Sequence, residues 1–212
     1  MFIVALLEDT VVTHPHELSG DVATVVKRRI SERLCNKVVP HLGFCISVYD
    51  LVEIGATYII PGEGYGHTRV KFHMVVLRPF VGAIVEAKVK ASSEKGLTLS
   101  IDFFDDIFIP TDKLPEPHKY EQAENVWYWE YADGEDVAKL YMDPGKIVRF
   151  RVVENIFKDV RPDLNATEAK QEQEKSYEII GTMADHGLGC IQWWSQEEEK
   201  EGAEEQMEED EE

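Results

Sequence analysis

From Val81 to Ala91 every odd position is small and apolar: Val81, Ala83, Val85, Ala87, Val89 and Ala91. The even positions end in Glu86, Lys88 and Lys90. Successive side chains of a strand leave opposite faces, so this period predicts a half-buried strand. Ser92-Ser93-Glu94-Lys95-Gly96 then predicts a hairpin turn, with Gly96 suited to a positive φ. The next strand repeats the pattern, with Leu97, Leu99, Ile101 and Phe103 inward and Thr98, Ser100 and Asp102 outward. A third, Ile107-Phe108-Ile109, stops at Pro110. A curled meander of this kind begins a small nucleic-acid-binding β-barrel.

The first eighty residues carry a different pattern. Met1 to Leu7 is a short apolar run that reads as a buried first strand, followed by a turn at Thr13-His14-Pro15-His16. Ser19 or Asp21 is placed to cap a helix. Val22, Val26, Ile30, Leu34 and Val38 then recur every fourth residue, Val25 and Cys35 widen the stripe, and Lys27, Arg28, Arg29, Glu32 and Arg33 fill the other face. This predicts an amphipathic helix of about four to five turns that Pro40 ends. Strands are expected at Phe44–Tyr49, with Phe44, Ile46 and Val48 on one face, at Thr57–Ile60, and at Thr68–Leu77, with Val70, Phe72, Met74 and Val76 aligned. The order is β-α-β-β-β: a small antiparallel sheet with one helix on a face.

Beyond the meander, Trp127, Trp129 and Tyr131 share a face if Glu121–Tyr131 is extended. Asp133-Gly134 and Asp143-Pro144-Gly145 read as turns. Lys146–Glu154 reads as a strand with Val148, Phe150 and Val152 inward and Arg149 and Arg151 outward. Residues 158–176 lack apolar periodicity and read as a solvated insertion. Two last strands, Tyr177–Met183 and Leu188–Trp194, are expected to close the barrel. The expected domains are therefore 1–80, 81–195 and an acidic tail, 196–212.

Charge sharpens this picture. The formal net charge of the 212-residue chain is −19. Residues 197–212 hold eleven acids against one lysine, which places ten of those nineteen charges in the tail. Such a block repels itself and is expected to be disordered. It serves as a solubilising tail or as a docking site for a basic partner. An acidic chain argues against tight nucleic-acid binding through its overall charge, because phosphate is repelled. Three dispersed cysteines, Cys35, Cys45 and Cys190, have no CxxC spacing and fit reduced thiols in the cytosol or nucleus. The apolar N-terminus is too short to span a bilayer and lacks a basic flank, so no membrane association is expected.

Little here reads as a reaction centre. Gly62-Glu63-Gly64-Tyr65-Gly66 lacks the strand-before, helix-after context of a phosphate loop and reads as an exposed interaction loop. The seven histidines form no metal-ligand set; His67 and His73 share a strand face but stand about 20 Å apart. Asp102, Asp105 and Asp106 read as solvated turn acids. The outward set on the barrel is more informative. Lys88, Lys90, Phe108, Arg149 and Arg151, with Phe104 beside them, combine cations with flat rings, as single-stranded nucleic acid requires. Ordinary barrel surface or a protein contact is the competing reading. Trp127, Trp129, Trp193 and Trp194 read as core or partner interface before base platforms.

The residues then acquire a family context. Met1-Phe2-Ile3, Asn36-Lys37-Val38-Val39-Pro40, Pro61-Gly62-Glu63-Gly64, Val76-Leu77-Arg78-Pro79-Phe80-Val81-Gly82 and Phe103-Phe104-Asp105-Asp106-Ile107-Phe108-Ile109-Pro110 recur in order, followed by Trp127-Tyr128-Trp129, Leu140-Tyr141-Met142-Asp143, Ile147-Val148-Arg149-Phe150-Arg151 and Trp193-Trp194. Together they resemble the larger subunit of the RNA polymerase stalk, in its polymerase III branch. The resemblance spans nearly the whole chain to residue 195. It implies an α+β tip domain of ribonucleoprotein-like fold, then an all-β OB-fold barrel of S1-like kind. It implies a non-catalytic, nuclear protein without cofactor or metal. Its implied partners are a smaller helical stalk subunit, the polymerase III core, initiation factors and nascent RNA. Pro61, Gly62, Glu63 and Gly64, with Arg78, Pro79 and Phe80, are the expected contacts with the core enzyme. Glu63 stands where the family usually has Asp, and the acidic tail is not a family hallmark. A free-standing OB-fold RNA-binding protein of translation or RNA processing is the alternative.

Overall fold

The computed structural model describes residues 1–133, 136–158 and 175–194. The expected insertion at 158–176 and the tail at 196–212 lie, but for residues 158 and 175–176, outside the described residues. The chain divides into two compact units: Met1–Pro79 with Phe157–Tyr177, and Phe80–Ile156 with the chain from Glu178 onward.

The first unit is a four-stranded antiparallel sheet with one helix. Its elements are β1 (Phe2–Thr13), α1 (Val22–Leu34), β2 (Lys37–Val39), β3 (Gly43–Ile59) and β4 (Gly66–Leu77), with strand order β1-β4-β3-β2. Asp21 caps α1, accepting the Thr24 N–H at 3.2 Å and its hydroxyl at 2.6 Å. Val26 and Ile30 on the helix are buried against Val70, Phe72, Met74 and Val76 of β4. Each such large side chain contributes about 1.5–3 kcal/mol by leaving water.

Three expectations need correction in this unit. α1 has 13 residues and ends at Leu34, because Asn36 takes a left-handed φ of 63°, which asparagine tolerates; Val38 then joins β2. The two strands expected at 44–49 and 57–60 are one strand of 17 residues. Four register shifts against β4 interrupt its alternation, so Cys45 and Val48, rather than Phe44, Ile46 and Val48, are the buried side chains there. β1 is an edge strand rather than a buried one. Leu7 faces the core, while Phe2, Val4 and Leu6 stand 50%, 57% and 60% exposed on the face opposite α1.

The second unit is the barrel. β5 (Ile84–Ser93), β6 (Gly96–Ile101) and β7 (Phe104–Pro110) form the meander; β11 (Ile147–Phe157) and β12 (Tyr177–Thr182) complete it. Strand order runs β12-β7-β6-β5-β11, and β12 also pairs with β11, so five strands close on themselves in OB-fold order. Between β7 and β11 stands a separate three-stranded sheet of β8 (His118–Glu121), β9 (Val126–Asp133) and β10 (Asp136–Tyr141). Ala83, Val85, Ala87, Val89, Leu97, Leu99, Val148, Phe150 and Val152 are buried as their alternation predicts. Val81 and Ala91, at the two ends of that alternation, are exposed. Gly96 opens β6 at φ 145°, where a Cβ would lie 2.0 Å from the Ile109 carbonyl oxygen.

The segment after β12 departs from expectation. Only Gly189–Cys190 is extended, as β13 on β11, and residues 191–194 are helical. Gly187 and Gly189 at φ 82° and 98° break the strand, and a Cβ on Gly189 would strike the Trp193 ring at 2.4 Å. Among the described residues no helix is long and apolar enough to cross a membrane.

Candidate nucleic-acid interface

The predicted cations lie on the outer wall of β5 and β11. Antiparallel register sets Lys88 opposite Ile147, Glu86 opposite Arg149 and Ile84 opposite Arg151. Directly opposed residues share a face, so burying Val85, Ala87, Val148 and Phe150 leaves this row outside. Every predicted cation meets a carboxylate there. Arg149 Nε lies 2.9 Å from Glu86, Lys88 Nζ 3.4 Å from Asp102, Lys90 Nζ 2.6 Å from Asp105, and Arg151 3.1 Å from Asp185. These pairs are solvent-exposed and each contributes little to stability. Their effect is on the field: the wall is a ladder of compensated charges rather than a basic patch.

The aromatic half of the prediction is corrected by Phe104. Asp102 adopts φ 30°, and the turn it makes resets the alternation, so Phe103 points out at 46% exposure and Phe104 in at 4%. Phe104 is therefore a core residue and offers no ring to a base. Phe108 is half-buried, between Thr98 of β6 and Ile180 of β12.

The residues expected to meet the polymerase core do not form one patch. Pro61, Gly62, Glu63 and Gly64 are exposed on the β3–β4 turn, where Tyr65 packs edge-on against His14 at 5.2 Å. Arg78 follows the far end of β4, donating to the His41 carbonyl at 2.7 Å. β4 has 12 residues, which separates these two groups by roughly 36 Å. Pro79 is buried, and Phe80, in the second unit, is 68% exposed. His67 and His73 each have a local partner, Glu63 at 3.4 Å and Asp50 respectively. No group of three or more metal-ligating side chains occurs among the described residues.

The three-stranded sheet was not legible in the sequence. Its aromatic run was, but the cross-strand partners are not periodic in sequence. Lys119 bonds Glu130 at 2.7 Å, and that hydrogen bond, with the carboxylate's charge, holds the ammonium above the usual lysine range. Trp129 packs against Tyr131 and Trp193, with ring centroids 5.1 and 5.6 Å away.

Comparison with known proteins decides what carries these surfaces. Residues 83–194 match the family model described as RNA polymerase III subunit Rpc25. The chain belongs to that family. Residues 8–64 match a second model, the SHS2 domain found in the N terminus of Rpb7p/Rpc25p/MJ0397, which covers the helix, β2, β3 and the second half of β1. Among relatives, DNA-directed RNA polymerase III subunit RPC8 of Bos taurus is 36% identical over 202 residues, covering 92% of this chain and 99% of its own. The protein of the same name from Schizosaccharomyces pombe is 34% identical, covering 92% and 100%. That from Saccharomyces cerevisiae is 31% identical over the same shares. Membership in the Rpc25 family accounts for an SHS2 sheet followed by an OB barrel on one chain.

Proposed function

We propose that this chain is the larger, non-catalytic stalk subunit of RNA polymerase III. It acts in the nucleus, in initiation of small untranslated RNAs such as transfer RNA and 5S RNA. The observation that carries the reading is the order of the two family matches, SHS2 then Rpc25, along a chain that spans its relatives from end to end. In this reading the first unit attaches the stalk to the polymerase core, with the exposed turn at Pro61–Gly64 as its contact. A smaller helical subunit pairs with the chain. The exposed side chains of Val4 and Leu6 support such a partner, because apolar surface of that kind is costly to leave in water. The second unit faces emerging RNA and initiation factors. Its affinity for RNA is modest, since its wall carries compensated charge, and it acts because the polymerase holds the transcript nearby.

Affinity purification of the tagged full chain from nuclear extract, with identification of co-purifying chains, tests this. The expected result is the polymerase III core together with one small helical chain in equal amount. Recovery of a different polymerase, or of translation factors alone, overturns it.

A further inference from the structure

The three-stranded sheet beside the barrel has two unlike faces. One is tied down by Trp127, 7% exposed, whose indole N–H donates to the Ser93 carbonyl of β5 at 2.8 Å. Alternation along β9 sends Tyr128 and Glu130 out of the other face. Register then aligns that face across all three strands. Tyr128 stands opposite Tyr141 of β10 on one side and Lys119 of β8 on the other, and the neighbouring row sets Glu130 opposite Lys139. The Tyr128 and Tyr141 rings lie 5.4 Å apart at an interplanar angle of 43°, and both are half-buried. Lys119 and Lys139 are exposed at the rim.

Charge separates this face from the barrel wall. There, each of the four cations is matched by a carboxylate. Here, Lys119 is likewise paired, with Glu130 at 2.7 Å, but the Lys139 ammonium lies 5.1 Å from the Tyr128 ring centroid. A surface cation–π contact is weak, so a phosphate can draw the ammonium aside and leave the ring open to a base. Rings on adjacent strands of a sheet, with lysines at the margin, are how sheet-based modules hold unpaired bases: the rings stack, and the cations track the backbone.

We propose that the Tyr128–Tyr141 face, flanked by Lys119 and Lys139, is a stacking site for single-stranded RNA. This rests on the reading that the chain meets nascent RNA, and gives that contact an address off the barrel wall. Stacking tolerates any base, so the site reads no sequence. The two rings accommodate about two bases, and Lys139 neutralises about one phosphate.

Fluorescence anisotropy of a labelled oligouridine against the full chain tests the site. Tyr128→Ala with Tyr141→Ala is expected to weaken binding at least about tenfold. Tyr128→Phe with Tyr141→Phe, which keeps both rings, should bind within about twofold of wild type. Lys139→Gln should flatten the slope of log affinity against log salt by about 0.7, the loss of one phosphate contact on a single strand. Lys88→Glu with Arg149→Glu is the comparison arm, expected to lose less than the alanine pair. Circular dichroism melts confirm that each variant is folded. If the alanine pair binds like wild type while the barrel pair fails, the address is wrong and the RNA reading survives. If wild type binds no oligouridine, both fall. If the alanine pair keeps its RNA affinity but no longer co-purifies with a polymerase chain, the face is a protein interface and the proposal is overturned.

Discussion

Glu17 shows how a single residue fixes the entry to α1. Its carboxylate is ion-paired with Arg28 and with Arg29, the latter at 2.8 Å, and accepts the His14 N–H at 3.3 Å. The Arg29 hydrogen bond leads in holding the carboxyl below its ordinary 4.5; desolvation opposes it, and the His14 N–H and the two guanidinium charges assist. A carboxyl lowered on folding adds stability that is fully present above its unfolded pKa and lost as pH falls through the folded one. Glu17→Gln is therefore expected to lower Tm at pH 7, with the deficit shrinking as pH drops below 4.5. Thermal melts across pH 3 to 7 measure it. A deficit undiminished at pH 3 would assign the loss to packing instead. The acid, its arginines and the Asp21 cap all lie within one short span of sequence, but only the cap was legible there. Capping is a local pattern, whereas the Arg29–Glu17 pair depends on how the short turn of 15–17 and the helix meet in space.

Among the elements, straight strands were readable and bent ones were not. Val148, Phe150 and Val152 keep their alternation and were placed correctly. β3 contains bulges, and each shifts the parity of the residues beyond it; Gly55 lies within this strand, where a Cβ would stand 3.0 Å from the Arg69 carbonyl oxygen. The sequence around that glycine looks like a gap between strands, yet it is a close approach inside one. The turn at Asp102 exchanged the roles of Phe103 and Phe104 for the same kind of reason, and with Phe104 went one candidate nucleic-acid residue. The sheet of β8, β9 and β10 escaped because its stabilising contact is remote: Trp127 reaches Ser93 from 34 positions away. That contact makes a prediction. Trp127→Ala removes a buried ring and its hydrogen bond, and should destabilise the second unit by about 3 kcal/mol. Hydrogen exchange should show amides of residues 118–121 and 126–133 opening first, with those of β5 and β6 still protected. Uniform acceleration across the barrel would mean that the sheet has no independent opening.

At the scale of the whole molecule, the question is what covers β1. The face opposite α1 is apolar at one end, with Phe2, Val4 and Leu6, and charged further along, where Lys71 pairs with Glu53 at 2.8 Å and Arg69 with Glu8 at 3.6 Å. A net charge of −19 makes copies of the chain repel one another, which opposes self-association through this patch. It remains a surface that a helical partner with a matching apolar stripe would bury. Val4→Lys with Leu6→Lys separates docking from folding, because both side chains are already more than half exposed and β-pairing with β4 uses only their backbone. Such surface changes ordinarily shift stability by no more than about 0.5 kcal/mol each. If the proposed pairing with a smaller stalk subunit holds, co-expression with that subunit should then yield a folded chain that no longer retains it on affinity resin, while wild type retains it in equal amount. Equal retention by the double variant would place the partner on another face and leave the apolar end of β1 to the polymerase core. Loss of the fold in the variant alone, seen as a lowered melt without any partner present, would show instead that these side chains matter to the first unit itself.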